Sequence, residues 1–80
     1  MKIKLLNFGI AKEITGASEM ELDVPENSSI ANLEVQLRSQ YPALNKLRSF
    51  ALALNSEYAQ GAELLRAGDE VAVIPPVSGG

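Results

Sequence analysis

The residues best suited to covalent chemistry lie in the last stretch of the sequence, VIPPVSGG at positions 73–80. This stretch contains the only Gly-Gly pair of the chain, Gly79-Gly80. Glycine lacks a Cβ, so such a pair can enter a channel that excludes other residues. A terminal carboxylate is ionised at pH 7 and is a poor electrophile, so it needs a good leaving group such as adenylate from ATP. We therefore predict that Gly80 is a covalent attachment site whose adenylated carbonyl accepts a nucleophile.

The residues before this pair predict a projecting arm. Pro75 and Pro76 lack a backbone N–H and cannot continue a strand ladder. Prolines also favour an extended conformation, so an arm of this length projects roughly 19 Å at about 3.1 Å per residue. The arm consists of Pro75, Pro76, Val77, Ser78, Gly79 and Gly80. We expect a folded domain over residues 1–74 and a flexible tail over residues 75–80, which a partner must order at about 1 to 2 kcal/mol per residue.

The absence of two residue types limits the reactions that the chain itself can catalyse. The 80 residues include no cysteine and no histidine. Thiolate zinc sites, cysteine nucleophiles and the usual general base are therefore excluded, and we expect no bound metal or cofactor. The net charge is −3 and the seven basic residues are scattered, which disfavours nucleic acid as a partner. No apolar run approaches the roughly 18 residues of a membrane helix, so we expect one small cytoplasmic domain.

Side-chain alternation predicts the strands. In residues 2–8 it directs Ile3 and Leu5 toward a core. Residues 18–24 alternate in the same way, and their outward side chains are acidic: Glu19, Glu21 and Asp23. We interpret these three acids as a solvated strand face and not as a metal site. Three more strands are predicted at 50–54, 58–59 and 70–74.

One amphipathic helix is predicted between the second and third strands. Ser28 or Ser29 is a suitable N-cap, and Pro42 disfavours helical geometry before it, so the helix ends near Gln40. Its apolar stripe is Ile30, Leu33, Leu37 and Tyr41.

Two connecting segments carry further expectations. Residues 9–16, between two glycines, contain a helix-like turn. Residues 61–68 form a loop in which Leu64 and Leu65 both fill part of the core.

The predicted order is strand, strand, helix, strand, short strand, strand. It matches the α+β β-grasp fold of ubiquitin, with a mixed sheet of about five strands packed on one main helix. Four segments carry a closer resemblance: KIKLLNFGIAKEITG, SIANLEVQLRSQYPAL, LALNSEY and GDEVAVIPPVSGG. Through them the chain resembles the small, sulfur-carrying subunit of molybdopterin synthase over essentially its full length. Asn7 departs from this pattern because an apolar residue is expected there, and residues 43–49 carry little family signal.

The resemblance implies a carrier whose chemistry is supplied by partners. A ubiquitin-activating-like adenylyltransferase would use ATP to adenylate Gly80, and a sulfur donor would convert it to a thiocarboxylate. The loaded tail would then enter the large subunit of molybdopterin synthase and pass its sulfur to a cyclic pterin precursor. The family resemblance also implies a heterotetramer of two small and two large subunits, with the catalytic residues in the large subunit.

Two other functions share the same terminal pair. The sulfur carrier of thiamine synthesis resembles this chain in fold and in its Gly-Gly ending. A ubiquitin-like modifier or binding module would instead join Gly80 to a lysine through an isopeptide bond. The mass gained when sulfur replaces oxygen separates a sulfur carrier from a modifier.

Alternation also predicts a docking surface beside the tail. Phe8 continues the outward face of the first strand, and the parallel first and last strands of a β-grasp fold bring it near Ile74. Tyr58 extends this patch, and an exposed apolar cluster is typical of an interaction site. We predict that Phe8, Tyr58 and Ile74 contact both the activating enzyme and the large subunit, which makes the two complexes mutually exclusive. The alternative is that Phe8 caps the core.

Overall fold

The strands form where apolar and polar side chains alternate. The computed structural model of the protein describes residues 1–76, so the predictions for Val77, Ser78, Gly79 and Gly80 lie outside the described residues. In order, the strands are β1 (Lys2–Asn7), β2 (Glu19–Asp23), β3 (Ala51–Leu54), β4 (Glu57–Tyr58) and β5 (Glu70–Ile74). Each predicted strand is therefore present, with ends that shift by at most one residue.

The five strands form one mixed sheet in the order β2-β1-β5-β3-β4. The neighbours β1 and β5 run parallel, whereas the other three strand pairs are antiparallel. The sheet packs on one main helix, which confirms the predicted β-grasp fold. Because β1 and β5 are parallel neighbours, their C-terminal ends lie at the same edge of the sheet.

The main helix, α2 (Ile30–Gln40), begins at the predicted cap. The Ser29 side chain accepts the backbone N–H of Asn32, and the Asn32 side chain accepts the backbone N–H of Ser29. This reciprocal pair satisfies two donors that the first turn would otherwise leave unpaired. A short 3-10 helix over Pro42–Lys46 follows, and a first short helix, α1 (Ile10–Thr15), connects β1 to β2.

The core lies between the inner face of the sheet and α2. Of the predicted stripe, Ile30, Leu33 and Leu37 are buried, whereas Tyr41 lies one residue beyond the end of α2 and is half-buried. From the sheet the most deeply buried side chains are Ile3, Leu5, Val71 and Val73. No helix in residues 1–76 has the length and apolar character needed to cross a membrane.

One prediction for the loop before β5 is wrong. Leu65 is buried, but Leu64 is 62% exposed. The backbone here is extended, since Leu64 forms a β-bridge with Ser29 and the Leu65 N–H donates to the Ser28 carbonyl. Neighbouring side chains of an extended segment point to opposite sides, so only one of the two leucines can reach the core.

Asn7 is the polar exception in the core. Its side chain is 2% exposed, at the position on β1 that follows Ile3 and Leu5 on the inner face. The Asn7 amide donates to the carbonyl of Ala17 at 3.0 Å, whereas its Oδ1 has no partner among the described residues. A buried acceptor without a partner is costly, so this residue lowers the stability of the fold.

Candidate functional site

The tail leaves the domain from the end of a central strand. Pro75 follows Ile74, the last residue of β5, without any intervening loop. Pro75 is half-buried and Pro76 is exposed. Since neither proline has an N–H, the ladder of β5 cannot continue beyond Ile74. We call Pro75 and Pro76 the tail root.

The parallel pairing of β1 and β5 places Phe8 beside this root. Asn7 is opposite Val73, and the Phe8 N–H donates to the Val73 carbonyl at 3.3 Å. Phe8 therefore lies next to Ile74, one residue before the tail root. Both side chains are on the outer face, because Asn7 and Val73 point into the core.

Strand register extends this apolar surface across the sheet. Leu6 is opposite Ala72, Ala72 is opposite Ala53, and Ala53 is opposite Tyr58. Opposed residues of neighbouring strands share a face. The apolar end of the outer face therefore consists of Leu6, Phe8, Ala51, Ala53, Tyr58, Ala72 and Ile74. It includes all three residues that the sequence predicts to form a docking surface.

The aromatic side chains of the apolar end are open to solvent. Phe8 is 50% exposed and Tyr58 is 70% exposed, whereas Ile74 is half-buried. Of the alanines between them, Ala51 and Ala72 are half-buried and Ala53 is buried. Half of the Phe8 surface stays exposed, so Phe8 does more than cap the core. An apolar surface of this kind beside a tail is suited to binding another protein.

The other end of the outer face is charged. The ammonium of Lys2 lies 3.3 Å from Asp23, and that of Lys4 lies 2.9 Å from Glu19. The hydrogen bond from Lys4 to Glu19 raises the pKa of the Lys4 ammonium, and the charges of Glu19 and Glu70 raise it further. We call this the charged end: Lys2, Lys4, Glu21, Asp23 and Glu70, with Glu19 at its border, opposite Leu6 of the apolar end.

An open depression of about 180 Å³ lies at the charged end and not at the tail root. It is lined by Lys2, Ile3, Lys4, Glu21 and Gly68. The two lysines already bind carboxylates of β2, so the depression presents paired charges. In residues 1–76, moreover, no group of three or more acidic residues is arranged to hold a metal ion. The candidate site consists of the apolar end and the adjoining tail root.

Gly9 is a residue of the site that sequence reasoning did not single out. Its backbone has φ 53° and ψ −128°, a conformation that side chains with a Cβ rarely adopt. A Cβ on Gly9 would lie 3.2 Å from Cγ of Pro75. The only sequence signal is a glycine directly after Phe8, and nothing in the sequence links that glycine to a proline 66 positions later.

A family model matches residues 5–80 of this chain, and it describes the ThiS family. The chain belongs to the ThiS family. A relative from Chlamydomonas reinhardtii, a molybdopterin synthase sulfur carrier subunit, is 39% identical, and the match spans the whole of both chains. The resemblance inferred from the sequence motifs is therefore confirmed.

Two solved structures are similar in fold to this ThiS family member. SAMP1, the small archaeal modifier protein 1 of Haloferax volcanii, aligns over the whole of both chains with a TM-score of 0.83 and 27% identity. A complex of subunits 1 and 2 of molybdopterin-converting factor from Helicobacter pylori contains a chain that matches with a TM-score of 0.68 and 23% identity. At that identity the second likeness shows the fold alone.

Proposed function

We propose that this ThiS family protein is a sulfur carrier in molybdopterin synthesis and that Gly80 carries the sulfur. The observation that carries the proposal is the exposed apolar end at the tail root, in a chain whose full-length relative is a molybdopterin synthase sulfur carrier subunit. A carrier needs a surface that docks and a terminus that reacts. The apolar end is suited to the first role and the Gly79-Gly80 pair to the second.

The proposed loading takes place in two steps at the terminal carboxylate of Gly80. A carboxylate oxygen of Gly80 attacks the α-phosphorus of ATP on a ubiquitin-activating-like adenylyltransferase, and pyrophosphate leaves. A sulfur donor then delivers hydrosulfide, which attacks the glycyl carbonyl; the C–O bond to AMP breaks, AMP leaves, and a thiocarboxylate remains. Glycine suits this carbon because it has no side chain to block either attack.

The proposed partners share one docking surface. Phe8, Tyr58 and Ile74 would contact the activating enzyme during loading and the large subunit of molybdopterin synthase during transfer. Because one surface cannot bind two partners at once, loading must be followed by release and re-docking. We propose that the synthase is a heterotetramer of two carriers and two large subunits, located in the cytoplasm.

The test of the terminus compares chains that differ only after Gly79. Deleting Gly80, or adding one alanine after it, should abolish thiocarboxylate formation while the circular dichroism spectrum stays that of the intact chain. Intact mass spectrometry after incubation with ATP, the adenylyltransferase and a sulfur donor provides the measurement. A thiocarboxylate on the chain without Gly80 would contradict the proposal.

A second test separates carrier from catalyst. The loaded carrier alone should not convert the cyclic pterin precursor, and the addition of the large subunit should restore product. The absence of cysteine and histidine is the reason for this expectation. Conversion by the carrier alone, at a rate that the large subunit does not increase, would contradict the division of labour.

A second candidate function is protein modification, which the likeness to SAMP1 at 27% identity favours. In that case adenylated Gly80 would form an isopeptide bond with a lysine of another protein. The two functions differ in product, since one gives a chain with sulfur in place of oxygen and the other gives a branched conjugate. Mass spectrometry of the same reaction, with a candidate acceptor protein present, distinguishes them.

A further inference from the structure

Gly9 and Pro75 meet where the first connection of the chain passes the start of the tail. The φ of 53° at Gly9 turns the chain out of β1 and into α1. At this turn an added Cβ would lie only 3.2 Å from Cγ of Pro75, which is tighter than an ordinary van der Waals contact. The Pro75 ring thus lies so close to the backbone at residue 9 that a side chain there would crowd it, whereas glycine leaves it room.

The two prolines differ in burial, as expected if only Pro75 packs on Gly9. Pro75 is half-buried and Pro76 is exposed, although the two are chemically identical and adjacent. Neither can donate a ladder hydrogen bond, since neither has an N–H. The hydrogen bond from Phe8 to the Val73 carbonyl holds the two strand ends together just before this point. Beyond it, packing of the Pro75 ring on Gly9 continues the contact between the two strand ends.

We propose that the Pro75 ring packs on the backbone of Gly9, a contact that we call the seat. This contact sets the direction in which the tail leaves the domain. Pro75 is then a positioning residue that belongs to the folded domain, and the arm that a partner must order begins at Pro76. The contact itself is independent of the proposed function, whereas its effect on loading rests on that function.

The seat links the docking surface to the reacting terminus. Phe8 directly precedes Gly9, and Ile74 directly precedes Pro75, so both halves of the seat are continuous with the apolar end. A partner that binds Phe8 and Ile74 therefore receives the tail at a defined angle. The five residues from Pro76 to Gly80 span at most about 18 Å when fully extended. With so short an arm, an error in the starting direction cannot be corrected by extra length.

The contact is tested first in the free protein by NMR spectroscopy. One Hα of Gly9 occupies the direction of the missing Cβ, so a nuclear Overhauser cross-peak to Hγ of Pro75 is expected. Pro76→Ala is the matched control, because it changes the same residue type one position later and should keep this cross-peak. Absence of the cross-peak in the unmodified protein would overturn the seat, whatever the protein does.

The consequence is tested by adenylation with ATP and the adenylyltransferase that activates the carrier. Pro75→Ala releases one more residue that must be ordered, so its kcat should fall by about 5- to 30-fold. Its KM should change little, because the apolar end is untouched. Pro76→Ala should lose clearly less kcat. Equal losses in both variants, or an unchanged kcat for Pro75→Ala, would overturn the positioning role. If the unmodified chain is not adenylated at all, the proposed function fails, and the cross-peak alone then decides the seat.

Discussion

The two faces of the sheet are formed by the same strands but differ in how far their apolar side chains are covered. On the inner face, Leu5 and Val73 are fully covered by the rest of the core. On the outer face, their sequence neighbours Leu6 and Ile74 are also apolar, yet both are only half-buried. Apolar side chains on an uncovered face are expected where a second protein supplies the cover.

A buried polar residue and an exposed aromatic residue are adjacent in sequence and lie on opposite faces of the sheet. Asn7 is polar on the inner face, and Phe8 is a half-exposed aromatic residue on the outer face. Both lie at the end of β1 beside the tail root. In a domain this small, every core position matters for stability. The end of the sheet beside the tail therefore combines a buried polar side chain with an exposed aromatic one, and neither arrangement favours the stability of the isolated domain.

The largest expected effect comes from the paired substitutions Leu5→Ala and Leu6→Ala. Leu5→Ala leaves a cavity in the core and should lower the free energy of unfolding by about 2 to 5 kcal/mol. Leu6→Ala, one position later on the other face, should cost less than half as much. Urea unfolding followed by circular dichroism measures both values. Equal losses would mean that the outer face is covered within the domain, and the contrast between the faces would be wrong.

The next effect concerns partner binding at the two ends of the outer face. Fully burying an aromatic side chain contributes about 1.5 to 3 kcal/mol, so Phe8→Ala should weaken binding roughly 10- to 150-fold. Lys2→Ala, at the charged end of the same strand, is the control and should change affinity little. Calorimetric titration with the large subunit and with the activating enzyme gives both constants. An unchanged affinity of Phe8→Ala for both partners would remove Phe8 from the interface.

A smaller effect of opposite sign is expected from Asn7→Leu on the inner face. The substitution removes the unpaired Oδ1 and adds apolar volume, so the free energy of unfolding should rise by about 1 kcal/mol. The Ala17 carbonyl loses the Asn7 donor but still accepts the hydroxyl of Thr15 at 3.2 Å. Thermal unfolding measures the change. A lower melting temperature would show that Asn7 stabilises the end of β1, contrary to its interpretation as a cost.

The smallest expected effect is a pH dependence of the free energy of unfolding, which arises from Glu63 in the loop beside the start of α2. The backbone N–H of Gln60, with that of Gly61, donates to the Glu63 carboxylate and holds the pKa of Glu63 below its ordinary value. The same loop supplies carbonyls to the N–H groups of Ile30 and Ala31 at the start of α2. The stability that Glu63 contributes is complete above its unfolded pKa and is lost as pH falls through its lower folded pKa.

Comparing urea unfolding at pH 7 with that at about pH 3, below the ordinary glutamate pKa, reveals this contribution. Glu63→Gln should be less stable at pH 7 and should lose less stability on acidification than the unmodified protein. The exposed Glu13→Gln in α1 is the matched control and should retain the original pH dependence. If Glu63→Gln lost as much stability on acidification as the unmodified chain, the carboxylate would not hold the loop.

The features that the sequence predicted well are those that depend on neighbouring residues. The alternation of Ile3 and Leu5 was sufficient to assign the faces of β1, and Ser29 with Pro42 predicted both ends of α2. The placement of Phe8 beside Ile74 also followed, because the β-grasp order makes β1 and β5 parallel neighbours. The roles of Gly80 and of the docking residues stay predictions.

By itself, the sequence determined the strands, the main helix and the apolar character of the surface beside the tail root, because each of these depends on residue spacing along the chain. Its motifs, in turn, carried the resemblance to the family. Only the tertiary structure decided which leucine of the pair Leu64 and Leu65 is buried, since that depends on how the loop pairs with Ser28 and Ser29. The contact between Gly9 and Pro75 was likewise decided by the structure. The reason is physical: both contacts join segments that are far apart in the sequence, and the spacing of residues within one segment does not determine which distant backbone it meets.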